Sequence, residues 1–257
     1  MKKISTLIAT VLLILSLTSC HKEVTENTTP KHLIILMKDK SASVSEKDTE
    51  KETKHLKSYL AQYMAENTDV VVMDINSNSN SRTNAKWFYY KAPKRQVSNR
   101  NKTKKQEELD EVMYQEKVHK TLEATQKKII KAMFAEASPS NETAIVELVI
   151  PISEMLKNYD KASVLVYSDF IQESGFRNFT KGQWAMPSKS YAVDVATKDF
   201  ERLQQQGSEI DLSKISFVDV VTPNNPQNEK YYVNMPFYWD EIFRLGKYSG
   251  NIDWKKL

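Results

Sequence analysis

Four apolar runs dominate this chain: Leu33-Ile34-Ile35-Leu36-Met37, Val70-Val71-Val72-Met73, Val164-Leu165-Val166 and the stretch Ile215 to Val221. The first three are continuous rather than alternating, the fourth is broken only by Ser216 and Asp219, and all are rich in Val, Ile or Leu. A strand that is apolar on both sides must be covered on both sides. Between these runs lie helical patterns. Residues 45–66 carry Leu56, Tyr59, Leu60 and Tyr63 at helical spacing, with Ser45 as an N-cap. Residues 143–157 carry Ile145, Leu148, Val149, Ile152 and Leu156, with Pro151 inside, where it can kink the helix. Further helices are expected at about 104–136, 189–206 and 235–247. The order predicts an α/β fold with a doubly wound, mostly parallel sheet and helices on both faces. Lys86-Trp87-Phe88-Tyr89-Tyr90 reads as one antiparallel edge strand paired with the second strand. Only five Gly residues speak against an all-β barrel.

The first twenty residues are set apart. Lys2 and Lys3 precede an apolar stretch from Ile4 to Leu17, and Leu17-Thr18-Ser19-Cys20 resembles a lipobox. Cys20 is the single cysteine of the chain and stands where lipidation requires it. The stretch is short for a membrane span and has signal-peptide flanks. Residues 1–19 are therefore read as a lipoprotein signal peptide and 20–31 as a polar tether. Residues 32–257 form the folded domain, with a helical and basic insertion at about 76–136. The expected location is the bacterial cell envelope, lipid-anchored through Cys20, at the outer membrane. The weak similarity of His21-Lys22-Glu23 to a surface-export signal leaves periplasmic and surface exposure open.

Composition excludes several classes. The formal charge of +4 falls to +2 once Lys2 and Lys3 are removed, which gives no basis for a nucleic-acid partner. The basic loop of Lys91, Lys94, Arg95, Arg100 and Lys102 reads as solvated surface, and the Trp87–Tyr90 run as half core. With Cys20 lipidated, no disulfide and no cysteine-ligated zinc is possible. His32, His55 and His119 have no metal-ligand spacing; His55 and His119 are expected on helix surfaces.

In open α/β sheets, ligands bind beyond the carboxyl ends of the strands, where the winding direction reverses. Asp39, Ser41 and Ser43 follow the first strand at alternate positions, and Asp169 ends a later central strand. Oxygen side chains in such a turn suit hard divalent cations. Here the chain resembles the von Willebrand factor type A (vWA) family. The metal-ion-dependent adhesion site of that family has D-x-S-x-S after the first strand, a Thr in a later loop and an Asp after the fourth strand. Asp39, Ser41 and Ser43 match the first element, Thr143 in Ser140-Asn141-Glu142-Thr143 the second, and Asp169 the third. The resemblance covers about 32–247. It implies that these five residues hold Mg2+ (or Mn2+ or Ca2+), leaving one position for an acidic residue of a protein partner. Family members commonly have Gly beside the Thr and after the last Asp. This chain has Asn141, Glu142 and Phe170 there. Phe170 is expected to tighten the loop and shade the metal, and Glu142 to add negative charge.

The expected function is thus a non-enzymatic, metal-dependent docking domain. A metal-free scaffold lipoprotein of the same fold is the alternative. A metal-dependent phosphoester hydrolase is a further one: Asp39 after an apolar strand also resembles the haloacid-dehalogenase-like phosphatases. Their general acid, an Asp two residues on, is Ser41 here. There is no Gly-x-Ser-x-Gly elbow and no Gly-rich phosphate loop. The aromatic last helix, with Phe237, Tyr238, Trp239 and Phe243 at helical spacing, is expected to be core; Tyr238 and its neighbours would mark a partner face only if exposed.

Overall fold

The computed structural model describes residues 31–40, 46–77, 79, 81, 84–95, 102–136, 140, 142–180, 186–206, 209–223 and 229–256. The signal peptide, Cys20, Ser41, Ser43, Ser45 and most of the tether lie outside the described residues. The elements run β1 (His32–Asp39), α1 (Glu46–Tyr63), β2 (Thr68–Ile75), β3 (Ala85–Tyr89), α2 (Lys104–Met133), a 3-10 turn (Val146–Leu148), α3 (Val149–Leu156), β4 (Lys161–Tyr167), α4 (Lys189–Gln204), β5 (Ile215–Thr222), α5 (Met235–Leu245) and β6 (Ile252–Lys256).

Among the described residues, six strands form one sheet in the order β3-β2-β1-β4-β5-β6. All neighbours are parallel except β3, which runs antiparallel to β2 with Trp87 opposite Val71. Successive side chains of a strand point to opposite faces, so each central strand feeds two cores. Leu33, Ile35 and Met37 pack with α3, α4 and α5 on one face, and Ile34 and Leu36 with α1 and the end of α2 on the other. That two-sided burial is why the runs are continuously apolar.

Several expected boundaries move. The helix expected at 143–157 begins only at Val146, as a 3-10 turn. Pro151 occupies the first turn of α3, where its missing N–H is no loss, so it need not kink the helix. Strand β6 was not anticipated. It is a five-residue edge, Ile252-Asp253-Trp254-Lys255-Lys256, whose charges protect an open edge and dilute the apolar signal.

Helix α2 is thirty residues long, about 45 Å at the usual rise. Thr103 and Gln106 form a capping box at its start. Only Ile129 and Met133 are buried; Leu109, Val112 and Met113 in its first half are exposed. Among the described residues, no helix is long and apolar enough to cross a membrane.

Candidate functional site

β1 and β4 are parallel neighbours with Lys38 opposite Tyr167. The next residues, Asp39 and Ser168, therefore stand side by side at the carboxyl edge of the sheet. This is the point where the strand order reverses, with β2 and β3 on one side and β5 and β6 on the other. Ser168 Oγ donates to Asp39 Oδ2 at 2.9 Å and accepts from Phe170 N at 2.9 Å. Asp169 Oδ1 accepts from Ile171 N at 3.0 Å, closing an Asx turn. The cleft between Lys38, Asp39, Glu52, Ser168, Asp169 and Pro223 has a free volume of about 10 Å³, close to what one water requires.

The Asp169 carboxyl is pushed up to about 7, mainly by burial, with further contributions from the charges of Asp39 and Glu173. Like-charged groups brought together away from water disfavour ionisation. Thr143 is buried and reaches this loop through its backbone: Thr143 and Glu173 exchange N–H···O bonds at 2.9 Å each. Gln172 secures the same junction. Its Oε1 accepts from Ile145 N and Val146 N at 2.7 and 2.9 Å, and its Nε2 donates to Glu147. Asp39 and the Ser168–Asp169 turn thus share one rim, and Thr143 is joined through its backbone to Glu173 in the loop that follows. Glu142 is exposed at the edge of that segment.

Phe170 has a φ of 59°, in the left-handed region that favours Gly. A left-handed backbone costs a residue with a Cβ about 1–2 kcal/mol. The structure offsets this by burying the ring fully against Trp239 and Trp254, at centroid distances of 4.6 and 5.5 Å. Trp239 Nε1 also donates to Phe170 O at 3.1 Å. The ring turns into the core, so it does not shade the rim as expected.

The floor of the rim holds features not anticipated from the sequence. Lys38 is buried, with Nζ 2.6 Å from Glu52 Oε2 and lying over the Phe134 ring at 5.6 Å. Tyr167 OH donates to Glu52 O at 3.2 Å and lies 2.8 Å from His55 Nδ1. His55 is therefore half-buried and hydrogen-bonded rather than a surface residue. Lys40, between Asp39 and Ser41, donates to the carbonyls of Met133 and Ala135 at 2.7 and 2.8 Å. A cation at a helix C-terminus satisfies its orphan carbonyls and its dipole, so the motif is tied directly to α2. Tyr232, just before α5, has a buried hydroxyl with no hydrogen-bond partner among the described residues. Burial and the charge of Asp169 raise its pKa. Lys40 and Tyr232 carried no signal, because each acquires its role only through chain segments distant in sequence.

Tyr238 is fully buried and donates to Asp199 Oδ2 at 3.0 Å, beside the Arg177–Asp199 pair. That side of α5 is core, not a partner face. Among the described residues, no three His, Cys, Asp or Glu side chains form a metal-holding group. The described part of the rim presents the side chains of Asp39, Ser168 and Asp169.

No protein-family model matches the chain, and no curated protein matches its sequence. Solved structures do show similarity. The human COPII-coat protein Sec24c matches at 14% identity and a TM-score of 0.43, over 90% of this chain and 30% of that one. The SpRpn10 VWA domain matches at 8% identity and a TM-score of 0.37, over 89% of this chain and 88% of that one. The pilus adhesin SpaC from Lactobacillus rhamnosus GG, in an open conformation, matches at 12% identity and a TM-score of 0.39, over 82% of this chain and 27% of that one. Each likeness is one of fold alone, at 14% identity or less and a TM-score of 0.43 or less. Within this chain's own sheet, the residue that ends the first strand stands beside the residue after the fourth. The chain spans less than a third of the length of Sec24c and of SpaC.

Proposed function

We propose that this vWA-like domain binds a protein partner through a divalent metal, Mg2+ in the first instance, at the rim of β1 and β4. Asp39, Ser41, Ser43, Thr143 and Asp169 would hold the ion. The observation that supports the reading is the position of Asp39 beside the Ser168–Asp169 turn at the topological switch point, where burial first and the charge of Asp39 in addition disfavour ionisation of Asp169. A divalent cation would relieve that repulsion. The donors are all oxygen, which suits Mg2+, and a set with two carboxylates leaves the ion attractive to an acidic group. The bound ion would supply a positive docking point for a carboxylate of the partner. Cys20 would carry the lipid that holds the domain at the bacterial envelope, with residues 20–31 as tether.

The test is thermal unfolding of residues 21–257 in EDTA and then with added Mg2+ or Mn2+, in wild type and Asp39→Ala. At a metal concentration ten times Kd, the wild type gains about 1.4 kcal/mol, or about 3–6 °C. Asp39→Ala gains nothing. A wild type with no shift up to millimolar metal would favour the metal-free scaffold instead.

A further inference from the structure

Helix α2 ends against both chain neighbours of Asp39. Lys38 and Lys40 flank that aspartate, and successive side chains of a strand point to opposite faces. Asp39 therefore faces the rim, and the two lysines face the side of the sheet that α1 and α2 cover. The Lys40 ammonium donates to Met133 O at 2.7 Å and to Ala135 O at 2.8 Å, and lies 3.8 Å from Asp74 Oδ1 at the end of β2. Its backbone N–H extends the β1–β2 ladder by one step, donating to Ile75 O at 3.4 Å. The ring of Phe134, the C-cap of α2, lies 5.6 Å from the Lys38 ammonium and 6.2 Å from the Tyr167 ring. Lys38 and Lys40 adjoin Asp39, and Tyr167 adjoins Ser168. The end of α2 thus engages the chain neighbours of both hydrogen-bonded rim residues.

We infer that Lys40 is a positioning residue that couples the rim to α2: it holds the end of β1 on the last turn of that helix, and the affinity of the rim for a divalent cation depends on the contact. The inference rests on the metal reading proposed above. Charge alone argues against a lysine between two proposed ligands of a cation, because like charges repel. Here the ammonium is turned away, onto carbonyls at the C-terminus of α2, where a positive charge is favourable. Helix capping by itself does not call for a residue of the motif, since α2 already carries Lys131 in its last turn. What the position adds is a fixed start for the turn that continues into Ser41 and Ser43. The Lys40 side chain is only 9% exposed and has three oxygen partners, so its place is narrowly set. Groups that orient metal ligands without touching the ion change its affinity about 10- to 100-fold. Coupling is reciprocal, so a bound cation steadies the end of α2 in return. The helical insertion thereby gains a part in the site.

The experiment is titration of residues 21–257 with Mn2+, followed by electron paramagnetic resonance, in wild type, Lys40→Met and Ile152→Val. Hydrogen exchange of the amides of residues 131–135 is measured alongside, with and without Mn2+. Lys40→Met should bind Mn2+ about tenfold more weakly, or worse. Ile152→Val trims a buried side chain of α3 and should bind as wild type does, which sets aside lost stability as the cause. Mn2+ should slow exchange at 131–135 in wild type and not in Lys40→Met. Unchanged or tighter binding in a folded Lys40→Met protein overturns the inference and leaves the metal reading in place. Tighter binding would mean that Lys40 acts on the ion only as a repelling charge. Equal weakening in Ile152→Val also overturns it. So does exchange at 131–135 that Mn2+ leaves unchanged in wild type, the measurement that decides if Lys40→Met fails to fold. A wild type that binds no Mn2+ overturns the metal reading and this inference together.

Discussion

The rim at Asp39 and a groove beside Trp87 belong to one sheet but are built on opposite plans. The rim is a cleft of about 10 Å³, lined mainly by charged and hydroxyl side chains and made largely from residues at the carboxyl ends of two adjacent parallel strands. The groove is about 900 Å³, aromatic and open, made from one face of an edge strand and the helix beside it. The rim concentrates cost: a left-handed Phe170, a buried Lys38–Glu52 pair and a carboxyl that resists ionisation. The groove carries none of these; its walls mix aromatic and apolar side chains with Glu154, Lys157, Asn158 and Gln206. Strain and buried charge persist only where surrounding packing over-determines them, so the rim should be sensitive to substitution and the groove tolerant.

The largest effect is expected at Phe170. Phe170→Ala empties a fully buried site and should cost about 3–5 kcal/mol in urea unfolding. Phe170→Gly removes the same ring but relieves the left-handed backbone. It should therefore be more stable than the Ala variant by about 1 kcal/mol. Equal stabilities would show that the backbone at 170 is not strained, and the contrast with the groove would lose its clearest element.

Next comes the floor of the rim. Glu52→Leu leaves the Lys38 ammonium buried without its carboxylate and should cost about 3 kcal/mol. The double variant Glu52→Leu, Lys38→Met replaces both charges with apolar groups. It should recover most of that loss, because a buried ion pair contributes little beyond its own desolvation. If the single variant unfolds at the wild-type urea concentration, the pair is solvated and the rim is less enclosed than the distances imply.

A smaller effect is expected from pH. Asp169 has an ordinary value of 3.8 and stands at about 7 in the folded chain. Between those values the folded protein holds a proton that the unfolded chain has released. The contribution is complete below about pH 4 and is lost as pH rises through 7. His32 and His55, whose pKa values burial lowers, act in the other direction below their ordinary 6.5. The measurement is therefore the difference between wild type and Asp169→Asn, in EDTA, from about pH 4.5 to 8. Wild type should lose stability relative to the variant across that interval. Parallel profiles would remove burial of this carboxyl from the account.

The same contrast explains what the sequence could reveal. Two-sided burial writes itself as continuous apolar runs, so β1, β2, β4 and β5 were legible, and with them the sheet. Once the sheet is known, residues at the strand ends must share a rim, which is why Asp39 and Asp169 could be paired across a long stretch of chain. Lys40 reads as a spacer in a motif, because its partners Met133 and Ala135 end a helix far along the sequence. The ring of Phe170 was expected over the rim, since nothing local discloses that Trp239 and Trp254 lie beneath it. Trp87 and Tyr89, read as half core, stack on one face of β3, Trp87 against the buried Tyr159 and Tyr89 left exposed.

The smallest expected effect, at Tyr89, bears most directly on the groove. The side chain is more than half exposed and contacts Trp87 along an edge strand. Tyr89→Ala removes that neighbour and some strand preference, together less than about 1 kcal/mol. Its urea midpoint should therefore lie close to wild type, far from that of Phe170→Ala, although both substitutions delete an aromatic ring. A loss of several kcal/mol would mean that Tyr89 is packed within the fold rather than displayed on it. The groove would then be structural surface of the same kind as the rim's floor. A loss of a few tenths leaves an exposed aromatic that folding does not require.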